Sequence, residues 1–87
     1  MSDKFLMLRR AVLLQLYAVF PAGLPPSTIL EGLRLAGFDC GLGDVQRNLE
    51  YLRQKGLVEM RPSRISVSSV RASLTSEGEE YLESGEF

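Results

Sequence analysis

Asp44-Val45-Gln46-Arg47-Asn48-Leu49-Glu50-Tyr51-Leu52-Arg53-Gln54-Lys55-Gly56-Leu57-Val58 is the stretch that decides the fold. Val45, Leu49 and Leu52 recur at i, i+4 and i+7, the spacing of one helix face. Gly41-Leu42-Gly43-Asp44 opens this helix, with Asp44 expected at or beside the N-cap, where a carboxylate accepts a free backbone N–H. Gly56 supplies the left-handed turn that ends it, and Leu57-Val58-Glu59-Met60-Arg61 then reads as a strand stopped by Pro62-Ser63. At 100° per residue, Arg47, Glu50 and Gln54 point away from the apolar face, with Gln46 and Tyr51 on its flanks. The helix at about 44–55 therefore shows a hydrogen-bonding face outward.

Toward the C-terminus, Val70, Ala72 and Leu74 alternate with polar residues and predict a partner strand. Ile65 and Val67 alternate on odd numbers, so a bend or bulge is expected at Ser68-Ser69, and the hairpin tip at 62–68 carries Arg64. Thr75 or Ser76 caps a last short helix, with Ser76-x-x-Glu79 as a capping box and Tyr81 and Leu82 as its apolar contacts. Glu77, Glu79 and Glu80 favour its N-terminal turn.

Toward the N-terminus, residues 4–20 are apolar except for Lys4, Arg9, Arg10 and Gln15, and contain no Pro or Gly, which predicts a helix. Leu8, Val12, Leu16 and Val19 form one stripe; Met7, Ala11, Leu14 and Ala18 form a second on another face. One stripe seats the helix on its own domain. The second is either covered by the last helix or meets a second copy; Tyr81, Leu82 and Phe87 offer little cover, so a homodimer through Met7, Ala11, Leu14 and Ala18 is expected. Pro21-Ala22-Gly23-Leu24-Pro25-Pro26 reads as a turn segment. Ser27 or Thr28, the latter with Glu31, caps a second helix at about 27–36; Gly37 ends it and Phe38 packs back as a latch. The expected order is helix, helix, helix, strand, strand, helix, in one domain spanning 1–87 with an acidic tail at 77–87.

Composition narrows the function. The 87 residues are 45% apolar and 24% charged, ordinary for a soluble domain. Histidine is absent, which removes Ser–His–Asp and Cys–His catalysis and His-ligated zinc. Cys40 stands alone, so there is no intrachain disulfide or CxxC pair; a buried structural thiol is expected, and a reducing cytoplasm suits the chain. No enzyme, metal or cofactor is expected. Asp3 in the basic start, Gln15 within the apolar run and no small-x-small pair just after Phe20 argue against a secretory leader, and the run is too short to span a bilayer. Net charge is −1, but residues 77–87 hold five acids and no base, which leaves +4 on the rest.

Leu49, Leu52, Gly56, Leu57 and Val58, followed by Leu74, Thr75, Gly78 and Leu82, resemble the "L-x-x-L-x-x-x-G-L-V" and "L-T-x-x-G-x-x-x-L" words of the PadR-like and MarR-like transcription regulators. The resemblance covers about residues 4–84. It implies a mainly α fold with a small β-hairpin, the winged helix-turn-helix: a three-helical core, a wing and a short C-terminal helix. It also implies a small DNA-binding regulator, bacterial or phage, whose third helix enters the major groove of double-stranded DNA while the wing touches the backbone. Carried over by position, Gln46, Arg47, Glu50, Tyr51 and Gln54 face base edges or phosphates, and Arg61, Arg64 and Arg71 contact phosphate or the minor groove.

Two other readings stand beside this one. In the first, the exposed third helix binds a protein partner, and the chain is an assembly module that does not bind DNA. In the second, the acidic tail competes with DNA for the basic face.

Overall fold

The computed structural model describes residues 3–62 and 70–85. Helix α1 (Asp3–Val19) leads into a two-residue strand β1 (Gly23–Leu24), then α2 (Pro26–Leu35) and α3 (Leu42–Gln54). Strands β2 (Val58–Pro62) and β3 (Val70–Leu74) follow, and α4 (Ser76–Ser84) closes the order. The expected hairpin is one part of a three-stranded antiparallel sheet with the order β1-β3-β2. β1 lies in the segment expected to be only a turn. Gly23 pairs with Ser73, and a Cβ there would stand 2.6 Å from the Ala72 carbonyl oxygen, so only glycine lets the strands approach this closely.

One core joins all four helices to the sheet. Leu8, Val12, Leu13 and Leu16 of α1 meet Ile29 and Leu33 of α2, Val45, Leu49 and Leu52 of α3, Val58, Ala72 and Leu74 of the sheet, and Leu82 of α4. The predicted inner face of α3 is buried as its spacing required. Asn48 joins it at 1% exposure, its Nδ2 donating to the Asp44 carbonyl. In β3, Ala72 and Leu74 are buried while Val70 is exposed, and Ser73 is buried too because β3 is the central strand. Cys40 is buried, and Arg34 Nε donates to its carbonyl.

Helices α2 and α3 start earlier than expected, and their stops agree with the expected ones. α2 begins at Pro26, with Pro25 as N-cap, so neither Ser27 nor Thr28 caps it. α3 begins at Leu42, two residues before the expected Asp44. Gly41 is its N-cap, and Asp44 reaches back to accept the Gly41 N–H at 2.9 Å. α4 starts at Ser76 and is capped by Thr75, one of the two expected caps, whose Oγ1 accepts from Gly78 N at 3.0 Å. At the other ends, Gly37 and Gly56 take positive φ. Phe38 N–H and Leu57 N–H reach back to the Leu33 and Leu52 carbonyls, both at 3.0 Å. Phe38 is half-buried against the core, as the latch reading required. Ile65, Val67 and the bend at Ser68-Ser69 lie outside the described residues, as does Arg64.

Candidate nucleic-acid interface

The exposed side of α3 is fixed by its buried side. With Val45, Asn48, Leu49 and Leu52 held in the core, Gln46, Arg47, Glu50 and Gln54 are exposed. Arg47 donates to Asp44 Oδ1 at 2.6 Å. Glu50 accepts two bonds from Arg53, Nε at 2.9 Å and Nη2 at 2.6 Å, and a third from Gln54 Nε2 at 2.9 Å. Each of these contacts stays on α3, so no other described element of the chain covers this face.

The charges are held in place by these bonds. The Gly41 N–H and then the Arg47 guanidinium hold the Asp44 carboxyl below its usual range. Arg53, with Gln54 second, lowers the Glu50 carboxyl from the ordinary 4.5 to about 2. The folded state therefore holds this proton less tightly than the unfolded chain. The stabilisation from the pair is present above about pH 4.5 and is lost as the pH falls through about 2. Glu50→Gln is expected to flatten that part of the acid-unfolding curve, followed by circular dichroism from about pH 5 to 2. An unchanged curve would show that the pair does not persist in solution.

Tyr51, expected on the flank of this face, packs toward α1. Its ring is 40% exposed, with the Arg9 guanidinium 4.0 Å from its centroid and the Lys55 ammonium at 5.5 Å. Arg9 belongs to α1, so Tyr51 closes the seam between α1 and α3. With Leu6, Met7, Leu13 and Leu57 it lines a groove of about 640 Å³. The sequence held no sign of this contact, because it joins residues 42 positions apart whose meeting depends on how two helices cross. Arg53 is the residue that the outer-face reading missed; its i+3 spacing from Glu50 was the available sign.

On the wing, Arg61 and Arg71 are directly opposite each other across β2 and β3, and both are exposed. Like charges so placed cost stability, and each is partly answered: Arg61 Nε by Glu59 Oε1 at 2.7 Å, and Arg71 Nη1 by the Gly23 carbonyl at 3.2 Å. The acids of α4 are elsewhere. Among the described residues no ion pair joins α4 to α3 or to the wing, and Glu83 instead accepts from the Tyr17 hydroxyl at 3.1 Å. That contact, followed by the charge of the same carboxylate, raises the Tyr17 phenol above its usual range.

The second stripe of α1 stays outside. Met7 is 60% and Leu14 43% exposed, and Ala18 is exposed, so α4 does not cover them. Ala11 departs from the expected stripe by packing partly against the core, while Phe5 and Leu6, which the stripe omitted, are exposed. Among the described residues, no helix is long and apolar enough to cross a membrane, and no group of three or more His, Cys, Asp or Glu residues could hold a metal ion.

No family model matches the chain, and no curated protein matches its sequence. Solved structures do match its fold. A point mutant of MepR, from a multidrug-resistant S. aureus clinical isolate, superposes with a TM-score of 0.73 and 22% identity, over 94% of this chain and 59% of that one. A point mutant of Lactococcus lactis ZitR superposes with a TM-score of 0.68 and 16% identity, over 87% of this chain and 49% of that one. The chain thus spans about half to three-fifths of the length of these proteins. At such identities the likeness speaks for architecture, and the order of elements agrees with it: the chain has a winged helix-turn-helix fold, with α2 and α3 as the helix pair and β2–β3 as the wing.

Proposed function

We propose that this chain is a non-enzymatic DNA-binding protein, a small transcription regulator that sets α3 in the major groove and its wing on the backbone. The observation that carries this reading is the open face of α3, where Arg47, Glu50 and Gln54 bond within their own helix and Gln46 stands exposed beside them. Arg61 and Arg71 support it, since an anion between two opposed arginines relieves their repulsion, and a phosphate is such an anion. Arg64, at the expected wing tip, belongs to the same set. Tyr51 is assigned to the α1–α3 seam instead. The protein acts in the cytoplasm, where its DNA is.

We also propose a homodimer through Met7, Leu14 and Ala18, with Ala11 at its edge. Two copies of α3 would then meet half-sites about 34 Å apart on a palindrome.

The test is a mobility shift on fragments of the source genome at low salt, comparing wild type with Arg47→Ala/Arg64→Ala. The double variant is expected to bind about 10- to 100-fold more weakly, with a salt slope smaller by about 2. Absence of a shift in the wild type, or an identical shift in the variant, rejects the proposed face.

A second reading has its own support. Arg47, Arg53 and Arg61 each pair at 2.6 Å with an acid two or three residues away, so much of the positive charge is answered before any partner arrives. A mixed-charge face of that kind suits a protein partner, and a wild type that ignores DNA at low salt would favour it.

A further inference from the structure

Resting on the reading of α3 as the groove-entering helix, we infer that Glu50 and Arg53 act as one unit that reads a single G·C base pair. Arg53 donates to guanine O6 and N7 while Glu50 accepts from the cytosine N4 amino group. Neither role follows from charge alone. A lone Arg53 would be as well satisfied by a phosphate, and a lone Glu50 would be repelled by one.

The geometry joins them. The Nε/Nη2 edge of Arg53 meets the two Glu50 oxygens, at 2.9 and 2.6 Å, while its Nη1/Nη2 edge points away from the carboxylate, and the two side chains are 49% and 52% exposed. Gln54 also donates to Oε2, at 2.9 Å, so that oxygen accepts from both side chains. The unit is therefore held in place on the exposed surface of the helix, with one end that only accepts and another that only donates.

The major groove limits what can satisfy such a unit. Its base-edge donors are cytosine N4 and adenine N6. Next to cytosine N4, a G·C pair offers O6 and N7, the two adjacent acceptors that fit a guanidinium fork. An A·T pair offers Glu50 the adenine amino group, but its two acceptors lie on either side of that donor, so the fork has no matching pair. At any pH where duplex DNA is intact the carboxylate is ionised, and it must be given a donor or pushed away.

The same pairing restrains sequence-independent attraction. While Glu50 holds Arg53, one positive charge is withheld from phosphate, and a negative charge stands where phosphate would approach. Discrimination gains from this repulsive element as well as from the contacts.

The experiment is selection from a random duplex library with wild type, Glu50→Gln and Arg53→Lys. Each variant is first checked for folding by thermal unfolding, since both positions are exposed. Wild type is expected to enrich a motif containing a fixed G·C pair. Glu50→Gln should lose the preference at that pair alone and bind unselected random duplex about fivefold tighter, with a salt slope larger by about 1. Arg53→Lys keeps the charge but loses the fork, and should lose the same pair without the gain on random duplex. A Glu50→Gln motif identical to wild type, or loss at an A·T position instead, overturns the inference while leaving DNA binding intact. A wild type that enriches no motif rejects the DNA reading itself and this inference with it.

Discussion

Gly78→Ala is expected to destabilise the protein by about 3 kcal/mol, because the added carbon would meet both backbone and a core side chain. Gly78 is a buried residue in the first turn of α4, where that helix leaves the central strand β3. A Cβ at this position would overlap the Leu57 carbonyl oxygen and stand 2.8 Å from Leu74 Cδ1. The Leu57 carbonyl cannot rotate aside, because it accepts the Thr75 N–H at 3.0 Å and sits directly after the Gly56 turn. Relief would require α4 to lift away, which breaks the Thr75 cap and exposes Leu82. Gly56→Ala is the natural control. Its φ of 78° makes alanine costly, but nothing lies within 4 Å, so about 1–2 kcal/mol is expected. In thermal unfolding, Gly78→Ala should fall roughly 12–24 °C below wild type, and Gly56→Ala about one- to two-thirds as far. Equal melting temperatures for Gly78→Ala and wild type would mean that α4 does not dock on Leu57 and Leu74.

The contrast between these glycines also shows what a sequence discloses. Gly56 was legible because a helix with a clear period stops there and the chain must reverse. Gly78 fell within a recognisable word, but its physical reason, a carbonyl 21 residues away, is a packing fact. The same divide runs through the rest of the fold. Val45, Leu49 and Leu52 announced the buried face of α3, whereas Asn48 joined them because a mid-helix amide can bond the Asp44 carbonyl out of water's reach. The start of α2 was misplaced because Pro25 caps without a side-chain bond, so the usual Ser and Thr signs pointed two or three residues late. β1 was invisible: two residues carry no alternation, and their pairing with Ala72 and Ser73 is long-range. At the candidate site, outward direction could be read from helical period, which placed Arg47, Glu50 and Gln54. What each of them touches could not, and that is where Tyr51 moved to the α1 seam and Arg53 entered.

Leu14→Glu is expected to convert the proposed dimer into a monomer without harming the fold. Leu14 is 43% exposed and Met7 60%, both on the side of α1 turned away from Leu8, Val12 and Leu16. A carboxylate there stays hydrated in a single chain, so the monomer's stability should change by no more than about 0.5 kcal/mol. Across a two-fold interface the same change acts twice, because residue i of one copy faces the same patch of the other. Two carboxylates would lose water against apolar surface and face one another without a cation. The cost is about 3 kcal/mol or more, enough to raise the dimer dissociation constant by more than about 100-fold. Sedimentation at tens of micromolar should give twice the chain mass for wild type and the single mass for Leu14→Glu, with matching melting curves once the dimer contribution is removed by dilution. A monomeric wild type ends the dimer proposal, and a dimeric Leu14→Glu moves the interface away from this stripe. The consequence for DNA is equally direct. A monomer keeps α3 and its wing but reaches one half-site, so it should lose the affinity gained from linking two half-sites while keeping the base preference of each.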